Sequence, residues 1–92
     1  MEYKIKKPIG VATKVDTHGV KYYYTFGKIA WIEHKNGVTE GFQYDSHGNM
    51  VRLEVSTGYG YVFKNHYDGK KLVKADSFGL GSKEGINESR EF

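Results

Sequence analysis

The chain has 92 residues, a net charge of +3, 15% aromatic residues, twelve glycines, one proline and no cysteine. That length allows one small domain, and the lack of cysteine removes any disulfide or thiolate–metal framework. Fourteen basic against eleven acidic residues is too even a balance to mark a nucleic-acid binder, and no apolar run reaches the ~20 residues of a membrane-spanning helix.

The first segment, Met1-Glu2-Tyr3-Lys4-Ile5-Lys6-Lys7, alternates charged with apolar residues and lacks the hydrophobic stretch of a signal peptide. It predicts a strand over 2–6 and a cytoplasmic protein. Pro8 and Gly10 break that strand. Further strands are predicted over 11–15, 20–26, 28–33, 38–44, 50–55, 60–67 and 71–75, each ended by turn residues. No stretch shows helical periodicity, and the connections are too short for parallel crossovers. The predicted fold is therefore an all-β antiparallel up-and-down meander of seven or eight strands, either a strongly curved sheet or a small barrel. Residues 1–79 form its single β-meander domain. Residues 80–92 read as a polar tail, flexible or a short helix.

Side-chain parity predicts the register. A two-residue turn at Phe26-Gly27 puts Tyr24 opposite Ile29 and Tyr22 opposite Trp31. Asn36-Gly37 is a favoured two-residue hairpin pair, and closing there sets Trp31 opposite Phe42 and Ile29 opposite Tyr44. A loop at Asp45-Ser46-His47-Gly48 brings Phe42 opposite Val51. A loop at Thr57-Gly58-Tyr59 sets Leu53 opposite Phe63 and Val55 opposite Tyr61. One apolar stripe then crosses five strands without changing face. A last turn at Asp68-Gly69 leaves 71–75 as an edge strand.

A short element recurs as Asp16-Thr17-His18-Gly19, Asp45-Ser46-His47-Gly48 and Asp76-Ser77-Phe78-Gly79. Its chemistry is a turn in which Asp accepts a backbone N–H and Gly takes φ > 0. Tyr44-Asp45-Ser46-His47-Gly48-Asn49-Met50 resembles the YD repeat of Rhs-type bacterial proteins, and Tyr67-Asp68-Gly69-Lys70-Lys71-Leu72 resembles a compressed copy. The resemblance covers about residues 40–80. It implies hairpins in a meander, and no activity.

His18, His34, His47 and His66 lie in or beside turns without the spacing of a zinc site, so no metal or cofactor is implied. Arg52, Glu54, Lys64 and His66 share one predicted face, where acid–base cleavage of RNA competes with ordinary cross-strand ion pairing. Lys21, Tyr23, Thr25, Lys28, Ala30 and Ile32 share the face opposite the stripe. Of these, Lys21, Tyr23, Lys28 and Ile32 are the predicted partner-binding residues, because Tyr anchors amid basic groups suit protein interfaces and also stack single-stranded bases. The expected function is a non-catalytic protein-binding module, such as a small inhibitor of a larger enzyme or assembly of the kind phages and mobile elements encode. A single-stranded nucleic-acid-binding domain is the alternative, and a small metal-independent ribonuclease the third reading. Another protein is the expected partner, nucleic acid the less favoured one, with a homodimer through edge strands as a further possibility and no membrane contact.

Overall fold

The computed structural model describes residues 1–92. Its strands are β1 (Lys14–Val15), β2 (Lys21–Thr25), β3 (Lys28–Glu33), β4 (Thr39–Tyr44), β5 (Met50–Val55), β6 (Tyr59–Asp68), β7 (Lys71–Gly81) and β8 (Asn87–Glu91). They form one antiparallel sheet in the order β1 to β8. The sheet is curved and open, with β1 and β8 at its edges, so the barrel alternative is set aside. It contains no helix long and apolar enough to cross a membrane.

A single layer cannot bury much. Tyr23 (5% exposed) and Val55 (4%) are the only buried apolar side chains. The accessible surface is 6433 Å², against about 5,400 Å² for a typical globular chain of this mass. The radius of gyration is 14.4 Å, where about 12 Å is usual for this length.

Three hairpins within the sheet repeat one design. In β2–β3, β4–β5 and β6–β7, the last tyrosine before the turn pairs with an apolar residue after it: Tyr24 with Ile29, Tyr44 with Met50, Tyr67 with Leu72. The next residue of the returning strand, Ala30, Val51 or Val73, is then skipped by the ladder. A bulge of this kind bends its strand and increases the local twist. Recurring at three equivalent places, it accounts for the curvature.

These bulges correct the predicted register. Tyr24 does face Ile29, but Trp31 lies opposite Tyr23 rather than Tyr22. The Asn36-Gly37 turn is also one residue longer than expected. His34 N donates to Val38 O and Gly37 N to His34 O, and only Gly37 of the pair has positive φ. Trp31 is therefore opposite Gly41, not Phe42, on the face away from the apolar stripe. Ile29 and Tyr44 are not ladder partners; Tyr44 Oη instead donates to Ile29 O (2.7 Å). Farther on, Phe42 faces Leu53, Leu53 faces Tyr61, and Val55 faces Tyr59. Each of those registers moves by two residues, so the side chains keep their predicted face.

The ends depart most. Residues 2–6 are not a strand, and only 14–15 of the predicted 11–15 join the sheet. Residues 80–92, expected as a tail, complete β7 and add β8. Asp76-Ser77-Phe78-Gly79 lies inside β7, where Asp76 pairs with Lys64, so it is not a third turn.

The N-terminal segment instead lies across the sheet face that carries Tyr23, Trp31, Gly41 and Glu54. Lys4 N and Ile5 N donate to the Glu54 carboxylate at 2.7–3.0 Å, and Arg52 Nε joins them at 2.7 Å. Glu54 is only 3% exposed. Burial works against its charge, but those N–H groups and the Arg52 guanidinium outweigh it and hold the carboxyl below its ordinary value. Gly41 makes the close approach possible: a Cβ there would sit 2.7 Å from Ile5 Cγ2. Lys7 continues the arm, bonding Glu33 (2.6 Å) with its ammonium 5.2 Å from the Tyr23 ring.

Candidate docking cleft

The four predicted partner-binding residues do not converge. Tyr23 is buried beneath Lys7, and a covered ring is no anchor. Lys21 stands beside it on that face, paired with Val15 and Glu33. Ile32, paired with Tyr22 and Glu40, lies on the opposite face because the Ala30 bulge inverts the parity. Only Lys28 reaches a plausible site.

That site opens where β3 and β4 part. Their ladder spans three pairs, Trp31 with Gly41 to Glu33 with Thr39. Beyond it the start of β3 and the end of β4 diverge around a cleft of about 530 Å³. Ile5, Pro8, Phe26, Lys28, Phe42 and Tyr44 are among its walls. The Lys28 ammonium lies 5.4 Å from the Tyr44 ring, within cation–π range. Its Cε would be 3.0 Å from a Cβ at Gly48, so the small residue there accommodates the lysine stem. Lys28 makes no ion pair, in contrast to Lys7 and Lys74.

Phe26 stands at the lip. It occupies the first central position of the two-residue turn with φ 51°, followed by Gly27 at φ 75°. Such a turn favours Asn or Gly, because a side chain in the left-handed region costs about 1 kcal/mol. The ring gains no burial in return, being 101% exposed. In the sequence Phe26 reads as the end of strand 20–26, on its apolar face and in the turn, with no binding role. The mismatch between a phenylalanine and a position that wants Asn or Gly is the signal that could have found it.

The cleft's far wall is fixed by the Asp45 loop. Asp45 N donates to Asn49 O and Gly48 N to Asp45 O. Asp45 Oδ1 accepts His47 N (2.9 Å) and Asn49 N (3.0 Å), while Oδ2 accepts Asn65 Nδ2 (3.1 Å) and the Tyr67 hydroxyl. The His47 ring stacks on Tyr67 with centroids 3.9 Å apart. Desolvation opposes the charge, but the donors from Tyr67, Asn49, Asn65 and His47 prevail and lower the carboxyl to about 2. Asp16 repeats the loop with His18 N (2.8 Å), Val20 N (3.0 Å) and its own hairpin's Tyr22 hydroxyl (3.1 Å). Gly19 (φ 79°) and Gly48 (φ 84°) have the positive φ that the shared turn chemistry predicts.

On the Arg52, Glu54, Lys64 and His66 face only Lys64 is exposed and free of a side-chain partner. Glu54 is occupied by the arm and Arg52, and His66 bonds Asp76 at 2.9 Å. Of the remaining histidines, His34 bonds Glu40 (2.6 Å), His47 stacks on Tyr67, and His18 is an exposed turn residue. No three His, Asp or Glu side chains gather as metal ligands. No family model, curated protein or solved structure matches the chain.

Proposed function

We propose that the chain is a non-catalytic protein-binding module whose docking surface is the cleft between β3 and β4, with Phe26 as its anchor. The observation that carries this reading is Phe26 itself, a fully exposed aromatic ring held in a backbone conformation that costs stability. A residue that breaks local turn chemistry without improving the packing is accounted for by a contact made outside the chain. The cleft behind it offers apolar walls and two cationic side chains, Lys6 and Lys28. It suits a partner segment presenting an apolar or aromatic side chain next to a carboxylate. The single-layer sheet supports the same reading, because it leaves large apolar side chains such as Ile9, Val11 and Phe26 exposed. An inhibitor of a larger enzyme or assembly would use such a surface. The YD-like pattern at Tyr44 and Tyr67 fits a hairpin-repeat scaffold and adds no activity.

The test is affinity capture from host extract with wild type, Phe26→Asn and Lys28→Glu side by side. A protein held by wild type and lost from both variants supports the cleft. A protein held equally by all three refutes it.

A further inference from the structure

We propose that β8 is a dimerisation edge, pairing antiparallel with β8 of a second copy about a two-fold axis through Ser89. The proposal is independent of the docking cleft, which lies between β3 and β4, four strands away from β8 in the sheet.

The backbone of β8 sets the first condition. Gly79 N donates to Ile86 O (2.8 Å) and Phe92 N to Val73 O (3.0 Å). In an antiparallel ladder such bonds recur at every second residue. Glu88, Arg90 and Phe92 therefore turn their amides toward β7, the Ile86 amide closes the preceding turn on Lys83 O (3.1 Å), and Asn87, Ser89 and Glu91 present theirs outward. Asn87–Glu91 is exposed along its whole length and carries no proline or bulge; the edge protection it retains is its charged side chains, Glu88, Arg90 and Glu91. A register centred on Ser89 uses all the outward groups. Ser89 pairs with its copy, and Asn87 pairs with Glu91 on both sides of the axis, each pair exchanging two hydrogen bonds.

The side chains supply the second condition, which the first does not guarantee. In this register Glu88 faces Arg90 of the second copy, and Arg90 faces its Glu88. These are non-hydrogen-bonded positions, where opposed side chains approach most closely. Ile86 faces Phe92, joining two apolar side chains that are 45% and 61% exposed in the single chain. A register centred on Glu88 or on Arg90 would oppose like charges. The other edge, β1, has only Lys14–Val15 to offer. A self-complementary β8 contact also closes, where a β8-to-β1 contact would propagate.

Sedimentation velocity on the full chain, from about 10 µM to about 1 mM, spans the range expected for so small an interface. A monomer–dimer equilibrium is expected. Glu88→Arg should weaken it about tenfold by opposing Arg90, and Glu88→Arg with Arg90→Glu should restore it to within about threefold. Asn87→Pro removes an N–H that β7 does not use, so it should dissociate the dimer while circular dichroism and urea midpoint stay near wild type. A wild type that stays monomeric throughout overturns the proposal. So does a dimer indifferent to Asn87→Pro and Glu88→Arg, or a double variant as weak as the single one.

Discussion

The Phe26-Gly27 turn and the Asp45–Asn49 loop close equivalent hairpins of the repeat, after Tyr24 and after Tyr44, yet they are built on opposite principles. The Asp45 loop satisfies its own backbone and then recruits Asn65 and Tyr67 from the next hairpin. The Phe26 turn recruits nothing and holds an exposed ring at positive φ. One fastens neighbouring hairpins together; the other sacrifices local stability beside a cleft. The contrast shows how a repeat can keep its frame while one copy diverges.

The largest expected effect is at the fastening loop. Asp45→Ala leaves the donors of His47, Asn49, Asn65 and Tyr67 without their acceptor and should cost about 2–3 kcal/mol in urea unfolding. A loss no larger than that of Asp16→Ala, about 1 kcal/mol for an acceptor serving its own hairpin only, would erase the distinction. Tyr67→Phe keeps the His47 stack and removes only the hydroxyl, so about 1 kcal/mol should go. Phe26→Asn should move the other way, adding about 0.5–1 kcal/mol by fitting the turn. A variant less stable than wild type would mean that the phenyl ring stabilises the chain itself.

The subtlest effect is in acid. Asp45 is held at about 2, below its ordinary 3.8. A depressed carboxyl stabilises the fold fully above its unfolded value, and that contribution fades as pH falls from about 4 toward 2. Urea midpoints measured across that window should fall less steeply for Asp45→Asn than for wild type, and Phe26→Asn should keep the wild-type slope.

The sequence made the antiparallel meander from β2 to β7 and the turns at Asp16 and Asp45 legible, because alternation and Asp-x-x-Gly elements have direct physical causes. Tyr24, Tyr44 and Tyr67, each followed by Ile29, Met50 or Leu72 across the turn, also mark the hairpin repeat. The bulges were not legible, since Ala30, Val51 and Val73 are ordinary strand residues and a bulge is defined by what the partner skips. That omission moved Trp31 and Ile32 to the wrong faces and misassembled the predicted site. Strand β8, Asn-Glu-Ser-Arg-Glu, has little intrinsic β preference and is ordered by the ladder with β7. The N-terminal arm binds Glu54 through backbone N–H groups, which any sequence carries.

A sheet in which every strand touches only its sequence neighbours has consequences for time as well as shape. All its pairings are local along the chain, so contact order is low and folding should be fast for an all-β protein. Hairpins can form separately and then zip together, as in repeat proteins. The β6–β7 ladder, running from Tyr59 with Gly81 to Asp68 with Lys71, is the longest and should hold its amide protons longest. The short β1 ladder should exchange first, so the molecule frays inward from that edge before it unfolds as a whole.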